Sequence, residues 1–309
     1  MLIGDIPRPA LARRLRGEGL HLNSGAFTTE LRIELPHLVD EFAAMYARYP
    51  VEDPPEIDDA RVRVAAPSRW HRYFQKQANA RAEDILFEPV RADHAFTLME
   101  SAMNWAAAAS DVSPLVIHSA VLERDGRALI LPAPSGSGKS TLAAALGWRG
   151  WRLLSDEMAI FCFEDGRVRP NPRPVSLKNK AVDTIAAFEP RARFSRTYRG
   201  THKGNIGYME PPPGSIEKAQ EKAVPGLVVV PTYREGAPLT LTASDRADGF
   251  RWLADNSVNY SSMLRTGFEM LTGVVERCGL FLLTYSSLDE AVAAIDRLHR
   301  TLPDAAGTA

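Results

Sequence analysis

The sequence predicts an α/β fold, and three observations support that prediction. Short apolar runs, typical of buried strands, alternate along the chain with runs of helix formers. A turn rich in glycine and serine, residues 133–141, joins the apolar run 128–131 to the alanine-rich run 141–146. Another apolar run, residues 151–154, comes directly after it. We therefore expect a central unit of strand, glycine-rich loop, helix and strand.

The composition indicates a folded protein without a dominant charge. Its 309 residues are 45% hydrophobic, which is enough for one large domain or two modest ones. The net charge of −1 favours neither a nucleic acid nor a membrane surface as partner, and no uncharged stretch approaches the ~20 residues of a membrane span. Asp5 and Pro7 argue against a secretory signal, and Cys162 and Cys278 lie in apolar runs as reduced core residues would. We expect a cytoplasmic protein.

We divide the chain into three regions. Residues 1–94 are expected to form a small N-terminal α+β accessory region, residues 95–302 the domain that carries the loop, and residues 303–309 a loose tail. The predicted helices are 38–47, 96–109, 248–271 and one from 289 to about 302 capped by Ser287 and Glu290; the other predicted strands are 31–35, 60–65, 115–122, 158–163, 227–230, 239–242 and 280–285.

Residues 134–141, which we call the glycine-rich segment, have the composition and the strand–loop–helix setting of a phosphate-binding loop. Glycines let successive backbone N–H groups turn towards an anion, and the helix N-terminus adds roughly half a positive charge. Lys139 is expected to reach the β- and γ-phosphates of ATP, and the Ser140 hydroxyl to hold Mg²⁺. A chance glycine-rich turn is the alternative, and Ala133 stands where the usual pattern begins with glycine. The expected nucleotide-binding residues are Pro134, Ser135, Gly136, Ser137, Gly138, Lys139, Ser140 and Thr141.

The positions of the acidic residues along the chain distinguish between classes of nucleotide-binding protein. Motor and transport ATPases usually carry an acid at the end of a later strand, whereas the later strands here end at Pro231 and Tyr285, and the guanine-reading pattern Asn-Lys-x-Asp is absent. Asp156 and Glu157 come one helix and one strand after the loop, so we expect them beside it, within reach of a metal and an incoming hydroxyl. We interpret Asp156 as a general base, with a structural cap or simple metal ligand as the alternative. Glu157 is either a metal ligand or a solvent-facing residue.

This arrangement resembles the HPr serine kinase/phosphorylase family, and more closely the HPr kinase-related kinase A group. The shared features are His118, the glycine-rich segment and residues 149–157, which read Arg-Gly-Trp-Arg-Leu-Leu-Ser-Asp-Glu here and Arg-Gly-His-Arg-Leu-Val-Ala-Asp-Asp in the family. Residues 117–121, residues 172–178 and Lys203-Gly204 before a proline cluster fit the narrower group. The resemblance covers roughly residues 95–300, and the first 90 residues lie largely outside it.

The resemblance implies a P-loop kinase domain of the HPr kinase/phosphoenolpyruvate carboxykinase-like type, using ATP and Mg²⁺. Asp156 takes the position of the family's base, and His118 that of a histidine near it, with a satisfied core histidine as the alternative. Glu157 replaces the family's second Asp, which keeps the charge on a longer side chain. Ser176 falls where the family has a metal-contacting Glu, which points away from the phosphorylase reaction and from HPr as substrate. The wider family forms hexamers, so the resemblance also implies a homo-oligomer.

Residues 190–209 contain five arginines and lysines and no acidic residue. This basic segment is either a clamp for substrate or phosphate or a plain solvated loop. Lys203 is our candidate catalytic residue within it, because Gly200 and Gly204 flank it and suggest a mobile lid.

These observations together predict an ATP-dependent kinase that phosphorylates a hydroxyl. The leading acceptor is a serine or threonine on a small protein or peptide. The alternatives are a small-molecule alcohol kinase and a non-catalytic nucleotide-binding regulatory protein.

Overall fold

The computed structural model describes residues 1–52, 58–68, 70, 76–109 and 115–303. Residues 304–309, most of the predicted loose tail, therefore lie outside the described residues. The chain divides into two compact units: the first comprises Met1–Ser113, Ser176–Val182 and Arg193–Glu210, and the second comprises Pro114–Val175, Asp183–Ala192 and Pro211–Ala309. This division differs from a single boundary at residue 94, because the helix that begins after that residue packs on strands of the first unit.

Within the described residues, the first unit contains three α-helices and the seven strands of one sheet. The helices are α1 (Arg8–Arg16), α2 (Pro36–Met45) and α3 (Ala95–Ala109); the strands are β1 (Leu20–Asn23), β2 (Thr28–Ile33), β3 (Val51–Glu52), β4 (Ala60–Ala65), β5 (Gln77–Ala82), β6 (Ile85–Leu86) and β7 (Val90–Arg91). The strand order is β3-β1-β2-β4-β5-β6, with β7 also paired to β5. Because β4 buries alternate residues, one face of the sheet receives α3. The first unit thus combines helices with a sheet and extends beyond residue 94.

The second unit is built on a mixed eight-stranded sheet. Its strands are β8 (Val116–Arg124), β9 (Arg127–Pro132), β10 (Arg152–Ser155), β11 (Met158–Phe161), β12 (Val168–Arg169), β16 (Val224–Tyr233), β17 (Thr240–Ala243) and β18 (Gly279–Tyr285). The helices are α4 (Lys139–Trp148), α5 (Lys180–Phe188, shared with the first unit), α6 (Arg246–Asp255), α7 (Tyr260–Arg277) and α8 (Leu288–His299). The order is β12-β11-β8-β9-β16-β18-β17, with β10 also paired to β8. The predicted mixed α/β class is confirmed.

A small third sheet completes the architecture. It consists of β13 (Val175–Lys178), β15 (Gly204–Met209) and β14 (Tyr198–Thr201), in the order β13-β15-β14. Apart from Val175, all its residues belong to the first unit. Among the helices in the described part of the chain, none is both long enough and apolar enough to cross a membrane.

The core of the second unit lies on both faces of the central strands. Every residue of β9 is buried, as expected for a strand covered on two sides. One apolar cluster packs the sheet residues Ile117, Ile130 and Val228 against Leu253 of α6 and Leu271 of α7. On α4, three consecutive alanines at 143–145 are fully buried, and their small side chains allow the helix to pack closely on β8.

Two predicted elements differ from the structure. The single helix expected over 248–271 is two helices, because the connection between them pairs with β8: the His118 N–H donates to the Asn256 carbonyl at 2.7 Å, and the Val258 N–H to the Val116 carbonyl at 2.9 Å. β16 extends to Tyr233 and does not end at Pro231. The first of these differences places a third chain segment beside His118.

Candidate functional site

The glycine-rich segment lies between β9 and α4, in the predicted order of strand, turn and helix. Pro134, Ser135 and Gly136 are exposed. The Ser137 N–H closes a turn by donating to the Pro134 carbonyl at 3.3 Å. Gly136 and Gly138 both have φ of +91°, a conformation that side-chain-bearing residues rarely adopt. The turn therefore needs glycine at these two positions.

Lys139 begins α4, and its side chain is directed back into the protein. The residue is 6% exposed, and its Nζ lies 2.9 Å from Nε2 of His118 on β8. The other ring nitrogen of His118, Nδ1, is 3.1 Å from the carbonyl oxygen of Glu157 and 3.5 Å from its carboxylate. A lysine ammonium only donates, so Nε2 accepts and Nδ1 carries the proton that it donates to Glu157. These contacts join Lys139, His118 and Glu157 into one hydrogen-bonded chain.

Asp156 and Glu157, which we call the strand break, follow the end of β10 as expected, and β11 begins directly after them. They interrupt a single ladder, because β10 and β11 pair one after the other with the same strand, β8, and in the same antiparallel sense. The Ser155 hydroxyl holds the interruption by accepting from the N–H groups of Glu157 at 3.3 Å and Met158 at 3.0 Å. A break of this kind re-aims side chains that a regular strand would place elsewhere.

The register explains why the strand break and the glycine-rich segment meet. Met158 pairs with His118 in one ladder, and Ser119 pairs with Pro132, the last residue of β9, in the other. The strand break, the first residues of β8 and the start of the glycine-rich segment therefore form a row across three adjacent strands. In that row Asp156 is 4% exposed, whereas the Glu157 side chain is 34% exposed.

The donor set suits Mg²⁺ carried by a nucleotide better than a metal held by protein alone. Ser140 and Thr141 are half-buried on the first turn of α4, and Asp156 and Glu157 lie in the interruption between β10 and β11. Among the residues that the structure describes, no group of three His, Cys, Asp or Glu side chains could hold a metal ion. Mg²⁺ is commonly bound by one or two carboxylates together with substrate phosphates and waters, which requires no such group.

Two tyrosines outside the predicted site also contact the glycine-rich segment. The Tyr285 hydroxyl at the end of β18 donates to the Gly138 carbonyl at 3.1 Å, and the Tyr233 N–H at the end of β16 donates to the Ser137 carbonyl at 2.9 Å. Their rings lie edge to face at 5.7 Å. The register pairs Tyr233 with Tyr285 across the parallel strands. Tyr285 stands at the end of the last predicted strand, whereas Tyr233 lies beyond the predicted strand 227–230.

The basic segment divides between structural contacts and exposed cations. Arg191 pairs with Glu189 at 2.7 Å, and Arg196 pairs with Glu41 at 2.9 Å, each pair within one unit. Arg193, Arg199 and Lys203 make no ion pair within the described residues. Because Arg191 and Arg196 are held in these ion pairs, we no longer count them among the residues of the predicted clamp.

Lys203 lies in the first unit, and the other predicted site residues lie in the second. It is exposed at the turn between β14 and β15, where its N–H donates to Thr201 Oγ1 at 3.2 Å. A Cβ on Gly204 would lie 2.6 Å from the amide oxygen of Asn179. This close approach explains the glycine at 204 without a moving lid.

Comparisons with known proteins find a distant structural relative. No family model matches the chain, and no curated protein matches it. The HPr(Ser) kinase/phosphatase from Coxiella burnetii is similar over 60% of this chain and 93% of that chain, with 13% sequence identity and a TM-score of 0.28. At that TM-score the similarity carries no argument about activity, so the chemistry of this chain has to be inferred from its own residues.

Proposed function

We propose that the chain is an ATP-dependent kinase that transfers the γ-phosphate to a hydroxyl, with a serine or threonine of a small protein or peptide as the acceptor. The observation that carries the proposal is the row formed by the glycine-rich segment, His118 and the strand break. It supports a phosphate-binding loop with a buried carboxylate in the same row, separated from the strand of the loop by β8. A nucleotide-binding loop alone would not require that carboxylate.

Each residue has a distinct role in the proposed reaction. The backbone N–H groups of the glycine-rich segment and the N-terminus of α4 bind the phosphates, and Lys139 contacts the β- and γ-phosphates. Asp156 accepts the proton of the acceptor hydroxyl as its oxygen bonds to the γ-phosphorus and the bond to the leaving ADP oxygen breaks. Mg²⁺, held by Ser140 with Asp156 and Glu157, would neutralise charge on the phosphates. His118 orients Lys139.

Lys203 remains a candidate catalytic residue. Its exposure and its lack of an ion pair within the described residues make its charge available. The resemblance to the HPr kinase-related kinase A group supports this assignment, and supports a cytoplasmic homo-oligomer as the working form.

The proposal is tested by incubating the protein and its Asp156→Asn variant with [γ-³²P]ATP, Mg²⁺ and a cell lysate. Label transferred to a protein or peptide by the wild type alone, and located by mass spectrometry on a hydroxyl side chain, supports the proposal. Label in a small molecule favours an alcohol kinase instead. Mg-ATP binding without any transfer would indicate a regulatory nucleotide-binding protein and overturn the proposed activity.

A further inference from the structure

The carbonyl groups of the glycine-rich segment are held from the side of the sheet. The Ser137 carbonyl accepts from the Tyr233 N–H at 2.9 Å. The Gly138 carbonyl accepts twice, from the Leu142 N–H within α4 at 2.9 Å and from the Tyr285 hydroxyl at 3.1 Å. A carbonyl oxygen has two lone pairs, so this second bond completes its capacity.

The direction of these carbonyls fixes the direction of the next N–H groups. In a planar trans peptide the C=O of one residue and the N–H of the following residue point in opposite directions. Holding the Ser137 and Gly138 carbonyls towards β16 and β18 therefore turns the N–H groups of Gly138 and Lys139 away from those strands. These are two of the amides that a phosphate-binding loop presents to its anion.

Tyr285 is suited to this role as a permanent donor. The residue is 1% exposed, and burial raises the pKa of its hydroxyl above the usual range, so the proton is retained. A Cβ on Gly138 would lie 2.5 Å from the hydroxyl oxygen, which shows how closely the tyrosine approaches the backbone. The tyrosine hydroxyl at the end of β18 thus holds the backbone of the glycine-rich segment from the protein interior.

We propose that Tyr285 is a positioning residue, whose hydroxyl sets the Gly138–Lys139 peptide in the orientation that binds the nucleotide phosphates. This inference rests on the proposed function, because it needs a phosphate to be bound by the glycine-rich segment. Tyr285 itself does not contact the reacting atoms. Its contribution is the ordering of two N–H groups before they bind an anion.

Two single-atom variants test the inference. Tyr285→Phe removes only the donor to Gly138, whereas Tyr233→Phe keeps its bond to Ser137, because that donor is the main-chain N–H. Affinity for Mg-ATP and for Mg-pyrophosphate is measured by calorimetry, with kcat and KM measured where transfer is detected. We expect Tyr285→Phe to weaken both affinities about three- to tenfold, the size of one hydrogen bond, and Tyr233→Phe to stay within about twofold of wild type.

The changes in affinity, KM, kcat and melting temperature distinguish a Tyr285 hydroxyl that positions the loop from one that only stabilises the fold. Loop amides contact the phosphates equally before and during transfer, so the KM for ATP should rise while kcat is unchanged. A lower melting temperature with unchanged affinity would show a purely structural hydroxyl and overturn the inference alone. Failure of the wild-type protein to bind either ligand would overturn the proposed function together with the inference.

Discussion

Nζ of Lys139 on α4 donates a 2.9 Å hydrogen bond to Nε2 of His118 on β8. A lysine side chain carries about 2 kcal/mol of rotamer entropy, so a fixed partner reduces the number of orientations it samples. His118 is fixed in turn by Glu157, to which its Nδ1 donates at 3.1 Å. Residues joined in this way are expected to respond to mutation as a unit.

We predict that Lys139→Ala abolishes most stabilisation by Mg-ATP. A ligand at 100 times its Kd stabilises a protein by about 2.7 kcal/mol, and that gain falls to about 0.4 kcal/mol when the affinity falls about 100-fold. The measurement is the ATP-dependent shift of the melting temperature. Lys218→Ala is the control, because Lys218 is exposed and its side chain pairs only with Glu221 in the described residues. Equal shifts in wild type and Lys139→Ala would contradict the assignment of the glycine-rich segment.

A second prediction concerns His118. We expect His118→Ala to weaken Mg-ATP binding about three- to tenfold, because Lys139 loses the acceptor that orients it. The same change made in the Lys139→Ala background should have little further effect, since residues in contact are not additive. The double-mutant cycle is measured by calorimetry. Full additivity of the two changes would mean that His118 acts independently of Lys139.

The two glycines of the segment provide a matched pair. Both have φ of +91°, so alanine at either position carries a similar backbone cost of about 1–2 kcal/mol. A Cβ at Gly136 meets nothing within 4 Å, whereas one at Gly138 lies 2.9 Å from the Tyr233 Cβ in addition to the Tyr285 hydroxyl. We predict that Gly138→Ala weakens Mg-ATP binding at least tenfold more than Gly136→Ala. Similar losses for the two variants would show that space at position 138 is unimportant.

The sequence predicted the unit of strand, loop and helix well, because a local pattern specifies each part of it. The length of β16 was not predicted, because prolines such as Pro225 and Pro231 are unusual within a central strand. In the structure β16 nevertheless pairs with a strand on each side. The sequence correctly separated two strands at Asp156 and Glu157, but it did not indicate that both strands pair with β8. Whether Asp156 ends a strand or interrupts one depends on β8 being long enough to pair with both β10 and β11.

Contacts between distant segments account for the other omissions. Tyr233 and Tyr285 reach the glycine-rich segment only because β9, β16 and β18 are adjacent and parallel. Pairing of Arg196 with Glu41 likewise joins residues far apart in the chain. Periodicity reports which face of an element is buried and carries no information on which distant residue covers it.

Arg191 and Lys203 should behave in opposite ways. Arg191 is bound to Glu189 by hydrogen bonds of 2.7 and 2.9 Å, so we predict that Arg191→Ala lowers the melting temperature slightly and leaves turnover unchanged. Lys203→Ala should lower turnover about tenfold or more with no change in melting temperature, if the lysine takes part in phosphoryl transfer. Normal turnover in Lys203→Ala would show that the lysine is only a solvated turn residue.

The effect of Arg191→Ala on the melting temperature should also depend on pH. Hydrogen bonding to Arg191, with its charge and that of Arg149, lowers the pKa of Glu189 from 4.5 to about 2. A carboxyl whose pKa is lowered on folding contributes stability above its unfolded pKa and loses that contribution as the pH falls through the folded value. The difference in melting temperature between wild type and Arg191→Ala should therefore be constant above about pH 5 and shrink between pH 4.5 and 2.

The last prediction separates a kinase from a nucleotide-binding protein without transfer activity. A hydroxyl with a pKa far above 7 must lose its proton as its oxygen bonds to phosphorus, and a positioned carboxylate accelerates that step about 10²–10⁴-fold. Asp156 is 4% exposed in the strand break, in line with the start of the glycine-rich segment. Asp156→Asn preserves the size of the side chain and cannot accept the proton.

We therefore predict that Asp156→Asn binds Mg-ATP within a few-fold of wild type and loses at least about 99% of phosphoryl transfer, a loss at the lower limit of general-base catalysis. Glu157→Gln is the control on the adjacent residue: it should transfer phosphate at a higher rate than Asp156→Asn and require more Mg²⁺ if Glu157 contacts the metal. Transfer is followed with [γ-³²P]ATP and binding by calorimetry. No other buried carboxylate in the described residues lies in this row of strands, so Asp156 is the candidate base that this variant tests. A transfer rate of Asp156→Asn within a few-fold of wild type would show that Asp156 is a structural acid.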